Sequence, residues 1–156
     1  MADIYAMPGH LIRRLQQIAS SVFADHTKTL GLDMTSPQFA ALSMVADHPK
    51  VDQATLAGLI ACDRPTIGGV IDRLVTKGFV QRHTNPKDRR AKLLMLTDEG
   101  QRVLEQLRPV VESAQDAILP RLTTAEKAEF IRLAAKIAKA GNQHSRVPLH
   151  IPERVV

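Results

Sequence analysis

At Gly78 the apolar spacing of this chain changes period, and that switch constrains the fold more than any other feature. Downstream, Phe79-Val80-Gln81-Arg82-His83 and Ala91 to Leu96 read as two strands joined by the turn Thr84-Asn85-Pro86-Lys87-Asp88. Upstream, the spacing is helical. Ile67, Val70, Ile71 and Leu74 share one side of a helix that has Pro65 in its first turn and Gly78 as its stop, with Asp63 or Arg64 as the cap. Thr66, Gly69, Arg73 and Lys77 lie along another side. Only the short break Ala61-Cys62-Asp63 separates this helix from the one before it, which Asp52 caps, with Val51 and Leu56 at staple positions and Leu59 and Ile60 on its buried side. A further short helix opens at Ser36-Pro37, buries Phe39, Leu42 and Val45, and closes at His48-Pro49.

Three short helices, a tight turn between the last two, and then a hairpin give the order of a winged helix-turn-helix. In that arrangement the last helix is held by its apolar side, which leaves its polar side free to enter a major groove. The hairpin reaches the adjacent minor groove or phosphates. The charge agrees: from Arg73 to Lys92 seven basic residues stand against Asp88 alone, a local excess of +6 in a chain whose net charge is +5. A basic stripe alone is usually a solvated face, and winged helices also dock proteins, so a DNA-binding reading and a non-DNA interaction module both stand at this point. Adjacent Gly68 and Gly69 each cost about 1 kcal/mol of helix propensity, which predicts close backbone approach by a neighbouring helix or a phosphate backbone.

Two longer helical patterns flank this block. Pro8 to Leu30 carries Leu11, Leu15, Ile18 and Val22 on one stripe and ends at Gly31. Thr97 caps a second, of about 22 residues or roughly 33 Å, with Asp98 and Glu99 in its first turn, a stripe from Val103 to Ile118 and a kink expected at Pro109. The box Thr123-Thr124-Ala125-Glu126 opens a last helix through Phe130, Ala134 and Ile137, and the residues after Gly141-Asn142 read as a tail.

Other classes lack their raw material. Aromatics are 3% with no Trp, too few for a sugar platform or a base-stacking sheet. One cysteine excludes an internal disulfide and a Cys-based zinc finger, and Cys62 reads as a small buried side chain. The six histidines form no i, i+4 pair, and no nucleophile or carboxylate constellation supports catalysis, so no metal, cofactor or enzymatic activity is expected. With neither a signal-like segment nor an 18-residue apolar run, the expected place is the cytoplasm, away from membranes.

Several stretches then resemble one family. They are Ala54-Thr55-Leu56-Ala57; Arg64-Pro65-Thr66-Ile67-Gly68-Gly69-Val70-Ile71-Asp72-Arg73-Leu74; Lys77-Gly78-Phe79-Val80; Asn85-Pro86-Lys87-Asp88-Arg89-Arg90; and Leu96-Thr97-Asp98-Glu99-Gly100. Together they resemble the MarR (multiple antibiotic resistance regulator) type of repressors over residues 8 to 140. The resemblance implies a mainly α winged helix-turn-helix protein of about six helices with a two-stranded β-wing, dimeric through a helical dimerisation region. It also implies a repressor that leaves a pseudo-palindromic double-stranded DNA operator when a small aromatic or phenolic acid binds.

The expected organisation is a dimerisation helix over 1–34, the DNA-binding region over 35–100, further dimerisation helices over 101–141 and a tail over 142–156. Expected DNA contacts are Arg64, Thr66, Gly69 and Arg73 on the fourth helix and Lys87, Arg89 and Arg90 at the wing, with Asp88 bracing an arginine. His10 and Arg14, one turn apart on the first helix, are the expected anchors for the effector's carboxylate, with Phe39 and Ser43 of the second helix beside them.

Overall fold

The structure, a computed structural model, describes residues 3–151. Its elements are a 3-10 turn at Ile4–Ala6, α1 (Pro8–Lys28), α2 (Ser36–Asp47), β1 (Val51–Asp52), α3 (Gln53–Leu59), α4 (Arg64–Thr76), β2 (Val80–Thr84), β3 (Lys92–Leu96), α5 (Asp98–Ile118), α6 (Thr124–Gly141) and a 3-10 turn at Asn142–His144. The chain forms two compact units: one holds residues up to 36 and 106–121, the other 37–105 and the segment from 122 onward. Positions 1–2 and 152–156, the latter closing the expected tail, lie outside the described residues.

In the first unit Phe23, Thr27, Met34, Leu107, Val111 and Ala114 are buried. The Thr27 hydroxyl donates to the carbonyls of Ala24 and Met34 at 3.2 and 3.4 Å, tying the end of α1 to the loop that leaves it. The sequence stripe of α1 behaves differently: Leu11 is 47% exposed and Leu15 and Ile18 are also open, as is Ile12 beside them at 59%.

The second unit contains the winged helix-turn-helix, whose fully buried side chains include Leu42, Leu56, Ile67, Ile71, Leu74 and Leu94. On α3 the burial falls on Leu56 and Ala57, whereas Leu59 and Ile60 are half-buried, because the helix ends at Leu59 after seven residues. The wing is one strand larger than the sequence suggests. β1 pairs antiparallel with β3 (Val51 opposite Leu94), and β3 pairs with β2 (Val80 opposite Leu96), giving the order β1-β3-β2. A two-residue strand carries no period of its own and exists only through that pairing. α6 begins with a complete capping box between Thr123 and Glu126, yet it buries no residue: Phe130, Ile131, Leu133 and Ile137 are all exposed.

The two helices of the helix-turn-helix start on the same device. Asp52 accepts the N–H and hydroxyl of Thr55 at 2.9 and 2.6 Å, and Asp63 accepts the N–H of Thr66 at 2.8 Å and also bonds its hydroxyl. For Asp52, partial burial works against the charge, yet the bonds from Thr55 and the N–H of Ala54 outweigh it and hold the carboxyl below its ordinary range. Asp63 is held low by the Thr66 hydroxyl and N–H. Carboxyls whose folded pKa lies below the unfolded value near 4 stabilise the fold above that pH, and the contribution is lost as pH falls through the folded pKa. Asn caps nearly as well as Asp without titrating. The double variant Asp52→Asn/Asp63→Asn is therefore expected to match the wild type near pH 7 and to lose less stability below about pH 4. Urea unfolding followed by circular dichroism at both pH values checks this, and Asp52→Ala is expected to cost about 1 kcal/mol at neutral pH.

Candidate nucleic-acid interface

The α3–α4 turn is built to present α4. Ala61 takes a positive φ of 50°, and the Cys62 N–H returns to the Ala57 carbonyl at 2.9 Å, so the chain reverses within four residues. Cys62 is half-buried rather than enclosed, and its thiol is pushed up by desolvation and then by the Asp63 charge, which suppresses the thiolate. At its other end α4 stops at Gly78, whose φ of +75° a side chain rarely adopts, and the Phe79 N–H bonds back to the Leu74 carbonyl. Lys77 donates to Gln38 at 3.2 Å, a side chain 2% exposed on α2, so both ends of α4 are held.

Between those ends α4 is divided. Ile67, Val70, Ile71 and Leu74 are buried, and Arg64, Thr66, Gly69 and Arg73 are all exposed. A β-carbon on Gly69 would meet nothing within 4 Å, and one on Gly68 would reach only the tip of Gln53 at 3.8 Å. No neighbouring helix in this chain therefore requires either glycine, and the approach they permit is from outside. Among the described residues neither Arg64 nor Arg73 has an ion pair; Asp72 is taken by Arg82 at 2.5 Å. The Thr66 hydroxyl is engaged by Asp63, so of the four positions it is the one already committed to a local partner.

At the wing tip Lys87, Arg89 and Arg90 are exposed. The Lys87 N–H donates to the Asn85 side chain, and the Asp88 carboxylate accepts the Arg90 N–H at 3.0 Å and lies 3.5 Å from its Nε, shaping the turn while leaving the Arg90 side chain 94% exposed. Arg64 and Arg90 line one concave surface of about 410 Å³ together with Lys92, Ile67, Asp52 and Gln53, so the start of α4 and the wing place three cations around a single hollow. Lys92, part of the basic stripe but not among the expected DNA contacts, donates its Nζ to Thr84 at 3.0 Å across the hairpin.

The expected effector residues are placed less favourably. His10 and Arg14 stand on α1 in the first unit, with Tyr5 edge-on to the His10 ring at 5.6 Å and Arg14 donating to Gln17 at 3.0 Å. Phe39 and Ser43 are half-buried on α2 in the second unit. Among the described residues no group of three or more His, Cys, Asp or Glu side chains is placed to hold a metal, and no helix is long and apolar enough to cross a membrane.

The model of the MarR family matches residues 34–92, the stretch that carries the helix-turn-helix and wing. The transcriptional regulator HosA of Escherichia coli O111:H- is 31% identical over 108 residues, 69% of this chain and 80% of that protein. The crystal structure of the PcaV transcriptional regulator from Streptomyces coelicolor, in complex with its natural ligand, is 34% identical and superposes with a TM-score of 0.78 over 90% of this chain and 98% of that one. Bordetella bronchiseptica BpsR, whose DNA binding is regulated by 6-hydroxynicotinic acid, is 26% identical with a TM-score of 0.81 over 88% of this chain and 97% of its own.

Proposed function

This chain belongs to the MarR family of transcriptional regulators, and from that premise we propose that it is a dimeric repressor that leaves a pseudo-palindromic DNA operator when a small aromatic carboxylate binds. One observation carries the DNA part of the reading. The exposed side of α4 carries Arg64 and Arg73, neither in an ion pair among the described residues, together with the open Gly69, and the wing tip adds exposed Lys87, Arg89 and Arg90, which is what a polyanionic groove requires. The exposed apolar faces of α1 and α6 support a second copy as their cover, since monomers rarely leave so much apolar surface in water. Regulation of BpsR by 6-hydroxynicotinic acid supports the effector class, and the basic pair His10 and Arg14 supplies donors for its carboxylate. Residues 1–34 and 101–141 are the proposed dimerisation parts and 35–100 the proposed DNA-binding part.

The test is a mobility-shift titration with the DNA flanking the protein's own gene, repeated with a panel of aromatic acids. Release by one or more acids is expected; binding to no DNA, or no release by any acid, would sink the corresponding half of the reading. The two DNA-contacting elements are expected to leave different signatures. Arg89→Ala and Arg90→Ala should weaken operator and random DNA by similar factors and reduce the slope of log affinity against log salt by about 1 per lost phosphate contact. Arg73→Ala should instead narrow the gap between operator and random DNA, by roughly 1 to 3 kcal/mol if a base contact is removed.

A further inference from the structure

Arg82 sits where the sheet would place an apolar residue. The pairing sets Val80 opposite Leu96 and Arg82 opposite Leu94, and residues directly opposite share a face. Val80 is 2% exposed and Leu94 is fully buried, so Arg82 lies on the core-side face of β2 but at the rim, where the residue as a whole is exposed. Its side chain is only 30% exposed, and its guanidinium meets the Asp72 carboxylate of α4 at 2.5 Å. Its partner stands on the helix that presents Arg73, so the pair links β2 of the wing to α4 across the rim of the core.

We infer that Asp72 and Arg82 form a brace that sets the wing against the recognition helix, making both positioning residues for DNA and setting Arg82 apart from the cations proposed to contact phosphates. The inference rests on the DNA-binding reading for its function but not for its geometry. Two elements that must engage adjacent grooves together gain from a fixed mutual orientation, because ordering them on binding weakens affinity. The pair contributes little to folding, as pairs with one largely exposed partner do.

The experiment compares the wild type with Asp72→Asn, Arg82→Met, and the charge swap Asp72→Arg/Arg82→Asp, which preserves net charge. Each is assayed for hydrogen exchange of the 80–96 hairpin without DNA and for operator affinity across a salt series. With the brace, both single variants exchange faster in the hairpin and bind the operator about fivefold more weakly, while the swap restores both readouts to within about twofold. The salt slope of Arg82→Met stays at the wild-type value. Were Arg82 a phosphate contact restrained by Asp72, Asp72→Asn would bind more tightly and Arg82→Met would lower the salt slope by about 1, overturning the brace. Unchanged exchange in both single variants would overturn it as well. A wild type that binds no DNA, with hairpin exchange responding as expected, would sink the regulator reading and leave the brace in place.

Discussion

Gly100→Ala is expected to be the most destabilising single methyl addition in this protein. A β-carbon at that position would overlap the carbonyl oxygen of Phe79 and stand 2.8 Å from its carbonyl carbon, and both neighbours are backbone. Neither can move alone. The Phe79 carbonyl already accepts the Thr97 N–H at 3.1 Å, the Thr97 hydroxyl donates to the Gly78 carbonyl at 2.5 Å, and that same hydroxyl accepts the Gly100 N–H at 3.0 Å. The first turn of α5 is therefore locked onto the junction between α4 and β2, which explains why Leu-Thr-x-x-Gly follows the wing in sequence. Relieving the overlap breaks this set of bonds, at about 3 kcal/mol or more. The melting temperature should fall by roughly 10 °C in a chain of this length, read by calorimetry. Gly69→Ala is the contrast. Its β-carbon meets open space, so it should raise stability by up to about 1 kcal/mol while weakening operator binding.

The second large effect is expected at the proposed dimer surface, and the structure decides which residues test it. Leu107 and Val111, on the apolar stripe of α5, lie at 0% and 8% exposure within a single chain, so a charge there unfolds the protein whatever its oligomeric state. Ile12 on α1 and Ile137 on α6 are 59% and 64% exposed and lack that ambiguity. Ile12→Glu/Ile137→Glu is expected to halve the mass seen by light scattering at micromolar concentration. It should also weaken operator binding by about a hundredfold or more, because one chain engages one half-site and loses the effective concentration of the second. Obligate dimers often have poorly stable monomers, so a lower melting temperature accompanies the change. A variant that remains a dimer with unaltered operator affinity would show that these faces are covered by something other than a second copy.

Local chemistry made much of the fold legible. Asp52, Asp63 and Thr123 act within three residues of themselves, Pro65 acts on its own φ, and Gly78 ends α4 by its own positive φ. Such signals are complete in a short window, so the helix starts and the switch to the hairpin could be placed before any tertiary contact was known. The cationic side of α4 and the wing tip were legible for the same reason, since period and turn chemistry decide which residues face outward.

Other features belong to pairs distant in sequence. β1 exists because Val51 finds Leu94, Gly100 is required because Phe79 lies against it, and Asp72 meets Arg82 because the register of β2 brings that guanidinium to the side that faces α4. The apolar stripes of α1, α5 and α6 look alike as sequence, yet α5 buries Leu104 and Leu107 completely while α6 buries nothing. Periodicity states that a face is apolar and leaves open what covers it. The cover is set by which elements meet, through contacts that only the folded chain makes.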